Sequence, residues 1–135
     1  MAEYIKGWLK TSKIEAGYAH NPNDSGEETY RGISIKYNPK WEGWIIIHSV
    51  IKNMGIIDTL NANKELREKI DQALAAHPLM DKMVTSFYKE NYWDPLNLDD
   101  EPDQLIAEQV FDTAVNMGVD TARKLFHTAK EKEDV

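Results

Sequence analysis

The sequence predicts a mainly helical α+β domain with a small β-hairpin after the first helix. Apolar residues recur at helical spacing along most of the chain, as Met80, Val84 and Phe87 do. Residues 18–40 instead contain glycine, proline and asparagine, with apolar side chains spaced as in short strands. A chain of 135 residues is expected to form one domain with a hydrophobic core of useful size.

The first predicted helix covers residues 2–14, where large apolar side chains form one stripe: Tyr4, Ile5, Trp8 and Leu9. Gly17 ends this helix, so Glu15 is expected at its C-terminal end. The helix dipole disfavours an anion there and raises the pKa of a carboxyl group, which is the direction a general acid needs.

Three further helices are predicted in the middle of the chain. A buried helix follows Pro39 and ends near Met54 and Gly55. The next covers residues 61–76, with an apolar face made of Leu66, Ile70, Ala73 and Leu74. The fourth begins with Pro78 as a first-turn proline and is terminated by Pro95.

Two helices complete the prediction. Pro102 opens the first of them and Gly118 closes it, while Asp120 caps the second. The side chains predicted to face inward are Leu105, Ile106, Val110, Ala114, Val115, Ala122, Leu125, Phe126 and Ala129. The charged tail from residue 130 to 135 is expected to fray.

Composition excludes several classes of function. The chain has no cysteine, so it offers neither a disulfide framework nor a thiol nucleophile. Its four histidines show no metal-ligand spacing, and we expect neither a metal site nor a cofactor. With 23 acidic and 16 basic residues the formal net charge is −7, which disfavours nucleic acid as a partner.

The location expected from the sequence is the cytoplasm. The N-terminus lacks the apolar run and cleavage site of a signal peptide. The longest apolar run, from Trp44 to Ile51, is too short to insert into a membrane. If the protein acts at a cell wall, a holin or another export route must release it.

The most informative segment for function is residues 15–33. It contains Glu15, then Asp24 nine positions later and Thr29 five after that, separated by residues that favour a sharp turn. Two carboxyl groups across a short gap are what hydrolysis of a glycosidic bond requires. The alternative is that both are ordinary solvated acids, of which this chain has many.

Four ordered motifs resemble the glycoside hydrolase family 108 lysozymes, N-acetylmuramidases of phage-endolysin type once labelled putative secretion activator proteins. The motifs are Glu15-Ala-Gly-Tyr18, Asn21-Pro-Asn-Asp24-Ser-Gly26 with Thr29-x-x-Gly32-Ile33, Tyr88-x-x-x-Tyr92-Trp93-Asp94, and Val110-Phe-Asp112-x-Ala-Val-Asn116-x-Gly118. The resemblance implies a lysozyme-like fold, with residues 1–95 as the catalytic part. Residues 96–135 would begin a peptidoglycan-binding region that is truncated or reduced.

The implied activity is cleavage of the β-1,4 bond between N-acetylmuramic acid and N-acetylglucosamine in the glycan strands of peptidoglycan. Two departures from the family pattern matter here. Ala16 replaces a glycine and is easily accepted, whereas Glu27 replaces a glycine that would be costly to lose if it needed a positive φ. The competing hypotheses are a lytic transglycosylase and a non-catalytic wall-associated or secretion-regulating protein that retains the fold.

Residue roles follow from this resemblance. Glu15 is the predicted general acid, Asp24 a base or electrostatic stabiliser, and Thr29 a group that positions water; Asp24 could equally form an Asx turn. The predicted substrate-binding residues are Tyr18, Tyr30, Tyr92, Trp93 and Asn116, and Trp41 and Trp44 are further stacking candidates. For Trp93 and Tyr92 the alternative is core packing, and for Asn116 a backbone cap is favoured. His20 and His48 are expected to be surface or hydrogen-bonded residues.

Overall fold

The computed structural model describes residues 2–11, 17–21, 27–60 and 62–133. It is mainly helical with one small antiparallel sheet, which confirms the predicted fold class of a lysozyme-like α+β domain. The chain forms two compact units. We call Glu15–Val84 the central unit, and Met1–Ile14 together with Thr85–Val135 the terminal unit.

The central unit contains the sheet, whose strands run in the order β1 (Tyr18–Asn21), β2 (Glu27–Tyr30) and β3 (Ile33–Ser34). Strands β2 and β3 are joined by two residues, Arg31 and Gly32, which both have positive φ, 48° and 81°. A two-residue loop of this geometry matches the twist of antiparallel strands, and glycine adopts it without steric cost. The predicted small β element is therefore present.

Two helices of the central unit follow the sheet. Helix α2 (Gly43–Asn53) buries Trp44, Ile47 and Ile51, and it ends at Met54 and Gly55 as predicted. Helix α3 (Lys64–Ala76) begins at Asn63, whose side chain accepts the Leu66 N–H at 2.8 Å. Its Ile70 and Leu74 side chains are fully buried, and α3 contacts both α2 and β1.

Helix α4 (Met80–Tyr88) begins in the central unit and ends in the terminal unit. Pro78 lies two residues before its first helical residue, not inside the first turn. The predicted end at Pro95 is also wrong, because the chain continues from Tyr88 as a π-helical turn, Lys89–Trp93, and a 3₁₀ turn, Asp94–Leu96. Pro95 is tolerated in the first turn of that 3₁₀ segment, where a missing N–H breaks no bond.

The terminal unit contains α1 (Tyr4–Thr11), α5 (Gln104–Met117) and α6 (Val119–Glu133). Asp103, not Pro102, begins α5, since its carboxylate accepts the N–H groups of Leu105 and Ile106 at 3.0 and 3.3 Å. Gly118 ends α5 with φ 99°, as predicted. Asp120 lies inside the first turn of α6 and pairs with Arg123 there, so it is not the cap.

Burial corrects the predicted apolar stripes of the terminal unit. On α1, Tyr4 and Trp8 are buried, while Ile5 and Leu9 are 53% and 59% exposed. Residues four apart share a helix face, whereas their neighbours are turned about 100° away. For the same reason Leu105 is exposed and so is Leu125, and the buried face of α5 consists of Ala107, Glu108, Val110, Phe111 and Ala114.

No helix among the described residues has both the length and the apolar character needed to cross a bilayer.

Candidate active site

Two of the three predicted catalytic residues, Glu15 and Asp24, lie outside the described residues. Thr29 is described, and it is half-buried on the central strand β2. It faces Ala19 of β1 on one side and Ser34 of β3 on the other. Directly opposite residues of antiparallel strands share a face of the sheet. The Thr29 hydroxyl therefore lies on a face whose neighbouring side chains are small.

The predicted sugar-stacking residues Tyr18 and Tyr30 lie on the other face of the same sheet. They are paired opposite each other, and side chains alternate between faces along a strand, so neither shares a face with Thr29. Tyr18 is 2% exposed and Tyr30 is 5% exposed. Burial also raises the pKa of both phenols. These rings pack in the interior, and in this structure they offer no surface on which a sugar could stack.

A chain of hydrogen bonds runs across this buried face. The Tyr18 hydroxyl donates to Glu28 Oε2 at 2.7 Å and lies 2.9 Å from the Thr59 hydroxyl. His20 Nδ1 is 2.9 Å from Thr59 Oγ1, and His48 Nε2 is 2.9 Å from Glu28 Oε1. If the Glu28 carboxylate is ionised it can only accept, which leaves Thr59 to donate to Tyr18 and His20 to donate to Thr59. Both histidines are thus hydrogen-bonded, as expected.

Asp71 of α3 is a site residue that the sequence analysis missed. Its Oδ1 accepts the backbone N–H of Tyr18 at 2.7 Å. A β-carbon added to Gly17 would overlap the Asp71 carboxylate, so the space beside Gly17 is already filled. The only sequence signal for this contact is an acidic residue beside the fully buried Ile70.

A surface pocket of about 390 Å³ lies in the central unit. It is lined by Gly17, Tyr30, Arg31, Asp71, Leu74, Ala75 and Asp81. Arg31 Nη1 lies 3.3 Å from Asp81 Oδ1. Charged groups of both signs at the edge of an apolar floor can hydrogen-bond a polar ligand.

Glu27, the departure from the family pattern, is the first residue of β2 and pairs opposite Asn21. Among the described residues other than glycine, only Arg31 and Asn97 have positive φ. Glu27 therefore adopts an ordinary strand conformation, and the conformational cost that a positive φ would have imposed is absent.

Three predicted substrate-binding residues lie in the terminal unit. Trp93 has no exposed surface; its Nε1–H donates to Asp99 at 2.8 Å and its ring packs edge-on against Tyr4. This environment favours the packing role. Tyr92 is half-buried and stacked on Tyr88 with ring centres 5.5 Å apart, so part of its ring stays accessible.

Asn116 is exposed near the end of α5, and its amide donates to the Asp112 carbonyl at 2.9 Å. Its described partner is therefore a backbone carbonyl. The residue bonds a carbonyl within its own helix and does not cap the backbone at Gly118.

A second pocket, of about 370 Å³, lies in the terminal unit beside a buried carboxylate. Glu108 has only 9% of its side chain exposed and pairs with Lys10 at 3.0 Å. Neither side chain was singled out from the sequence, because a buried acid within an amphipathic helix reads as one more surface charge. In both units, the described residues include no cluster of three histidine or acidic side chains placed to hold a metal ion.

Comparison with known proteins places this chain in the class of glycoside hydrolases. The model of the family described as glycosyl hydrolase 108 matches residues 9–118, and the chain belongs to that family. Its substrate is accordingly a glycan such as peptidoglycan. Neither curated proteins nor solved structures gave a significant match.

Proposed function

We propose that this protein hydrolyses the β-1,4 bond between N-acetylmuramic acid and N-acetylglucosamine, with Glu15 as the general acid. The observation that carries the proposal is the family match over residues 9–118, a range in which Glu15, Asp24 and Thr29 all lie. Thr29 supports it, because this half-buried residue lies between the small side chains of Ala19 and Ser34, which crowd its hydroxyl less than large side chains would.

The proposed reaction needs no cofactor. Protonated Glu15 gives its proton to the glycosidic oxygen as the bond to the anomeric carbon breaks. Ionised Asp24 stabilises the positive charge that develops on the sugar, or takes a proton from the attacking water. The Thr29 hydroxyl orients that water. Water adds its oxygen to the anomeric carbon, and the products are two shorter glycan chains.

Substrate contacts are proposed where side chains keep accessible surface. Tyr92 and Asn116 meet that condition and stay predicted sugar contacts. Tyr18, Tyr30 and Trp93 were predicted for the same role, but their burial supports packing instead. We further propose that the protein is made in the cytoplasm and reaches peptidoglycan after release.

The test is digestion of purified peptidoglycan by the wild type and by Glu15→Gln. Glutamine is nearly isosteric but cannot donate the acidic proton, so we expect kcat to fall by roughly 10²- to 10⁴-fold. Glu42→Gln is the matched control, since Glu42 is an exposed acid of the same unit whose side chain caps no backbone group. Its activity should equal that of the wild type.

Mass spectrometry of the products after borohydride reduction identifies the bond that is cut. Reduced N-acetylmuramic acid ends support the proposal. Reduced N-acetylglucosamine ends would move the cleavage to the other glycosidic bond, and anhydro ends would indicate a lytic transglycosylase. Absence of any cleavage by folded wild type would favour a non-catalytic wall-associated protein, and equal cleavage by Glu15→Gln would remove Glu15 from the mechanism.

A further inference from the structure

We propose that Asp71 is a positioning residue for glycan hydrolysis, acting through Gly17 and Tyr18 on the chain segment that carries the general acid. The inference rests on the proposed function, because it assumes that Glu15 is that acid. Asp71 contacts Gly17 and Tyr18, which follow Glu15 by two and three positions in the sequence.

The first argument is the hydrogen bond at the edge of the sheet. Strand β1 pairs with β2 on one side, and no further strand of the described chain lies on its other side. The Tyr18 N–H is donated to Asp71 Oδ1 at 2.7 Å instead of to a strand. A charged acceptor makes such a bond shorter and about twice as strong as a neutral one. Asp71 therefore fixes the first residue of β1.

The second argument is steric. Gly17 lies directly before the first residue of β1. What the position requires is space, because a β-carbon would overlap the Asp71 carboxylate. Gly17 and Asp71 are thus a complementary pair. The glycine lets the carboxylate approach, and the carboxylate holds the amide of the following residue.

The third argument concerns how firmly Asp71 itself is held. It belongs to α3, and its neighbours Ile70 and Leu74 are fully buried. Aspartate has a short side chain with few rotamers, so a helix that is fixed by packing also restricts the position of the carboxylate. A carboxylate held in this way also restricts the position of the Tyr18 backbone that it binds. A displacement of about 1 Å in a catalytic group lowers the rate about 10²-fold.

The experiment compares Asp71→Ala, Asp71→Asn and the control Glu68→Ala in the full-length protein. Glu68 is an acid of the same helix whose side chain is 60% exposed and lines neither pocket described above, so its loss should leave kcat unchanged. We expect Asp71→Ala to lower kcat roughly 10- to 100-fold, with KM changed by less than about threefold. Asp71→Asn keeps an acceptor oxygen and should recover most of the lost kcat.

A purely structural role predicts a different result. It would lower the melting temperature of Asp71→Ala while leaving kcat per folded molecule at the wild-type value, and that outcome would overturn the inference. Failure of Asp71→Asn to recover kcat when it folds normally would overturn it as well, since the bond to Tyr18 would then be irrelevant.

A second measurement covers the case in which Asp71→Ala fails to fold alone. Gly17→Ala should lower kcat in the wild-type background because the new methyl group displaces the carboxylate. In the Asp71→Asn background the side-chain amide can rotate or shift more easily than the carboxylate. The factor by which Gly17→Ala lowers kcat should therefore be at least about threefold smaller there, because the effects of contacting residues are usually non-additive. Strictly additive effects would overturn the pairing of Gly17 with Asp71.

The two proposals fail in distinguishable ways. If Glu15→Gln is as active as the wild type, the assignment of Glu15 fails, and the inference about Asp71 fails with it. If Glu15→Gln is inactive while Asp71→Ala and Gly17→Ala keep full kcat, only the positioning role is overturned.

Discussion

Different kinds of contact stabilise the inside of each of the two units. The terminal unit packs aromatic rings edge to face around Trp93, with Tyr4 and Phe111 at ring-centre distances of 5.3 and 5.6 Å. The sheet of the central unit is instead connected by polar bonds of 2.7 Å, from the Tyr18 hydroxyl to Glu28 and from the Tyr18 amide to Asp71.

This difference suggests that the contacts that stabilise the fold are not the ones that position the atoms of the proposed site. Aromatic packing contributes much free energy through buried area, a contribution that has little directional preference. Short polar bonds contribute less net free energy, but they fix individual atoms and are costly to leave half-made. The proposed catalytic residues Glu15, Asp24 and Thr29 all belong by sequence to the central unit. Changes in the two units should therefore affect different measurements.

Alkaline pH should produce the largest effect because it acts on both units. Burial is the main cause that raises the pKa of Tyr4 in the terminal unit and of Tyr18 and Tyr30 in the central unit. The unfolded chain ionises these phenols near the usual pKa of about 10. Their raised folded-state pKa means that stability is complete below about pH 10 and is lost as pH rises above it.

Denaturant unfolding at a series of pH values, read together with phenolate absorbance, checks this prediction. The free energy of unfolding should fall above about pH 10, and Tyr4→Phe should make that fall less steep. Titration of all phenols before any loss of stability would contradict it.

Trp93→Ala should have the next largest effect, confined to stability. The side chain is fully buried, so truncation removes its aromatic contacts and leaves a cavity. We expect the free energy of unfolding to fall by about 3–5 kcal/mol. Tyr37→Ala is the control, because that ring is 78% exposed and its loss should cost less than about 0.5 kcal/mol.

The same variant tests the predicted role of Trp93 in sugar binding. Below its melting temperature, Trp93→Ala should keep the wild-type KM if the ring only packs. A KM raised more than about tenfold in a folded enzyme, equivalent to about 1.4 kcal/mol, would restore the sugar-binding hypothesis.

The contrast between the units also explains how much could be predicted from the sequence. Helical spacing and glycine positions located α2, α3 and the end of α5 at Gly118, because these signals are local. Spacing could not decide which of two adjacent apolar residues is buried, and so Leu105 was placed on the wrong face. That choice depends on the element packed against the helix.

Polar contacts were the part that the sequence could not supply. Asp71 and Tyr18 are 53 positions apart, and Glu28 and His48 are 20 apart. No periodicity links such pairs, and an acidic residue on an amphipathic helix is usually solvated. Gly17 was predicted as a helix breaker, and nothing in the sequence indicated that it also leaves room for the Asp71 carboxylate.

Tyr18→Phe should lower stability less than Trp93→Ala does, and it tests the polar bonds of the central unit directly. Phenylalanine keeps the buried ring but removes the hydroxyl that bonds Glu28 and approaches Thr59. We expect a loss of about 1–3 kcal/mol, less than for Trp93→Ala although both residues are buried.

His48→Ala separates the two partners of the Glu28 carboxylate in the same measurement. The His48 side chain is 49% exposed, so its contact with Glu28 should contribute less than about 1 kcal/mol. A larger loss for His48→Ala than for Tyr18→Phe would contradict the view that burial gives the Tyr18 bond its value. Unchanged stability in both variants would mean that neither bond to Glu28 contributes to the stability of the central unit. The sheet would then owe its position to Ile33, Ile70 and Leu74.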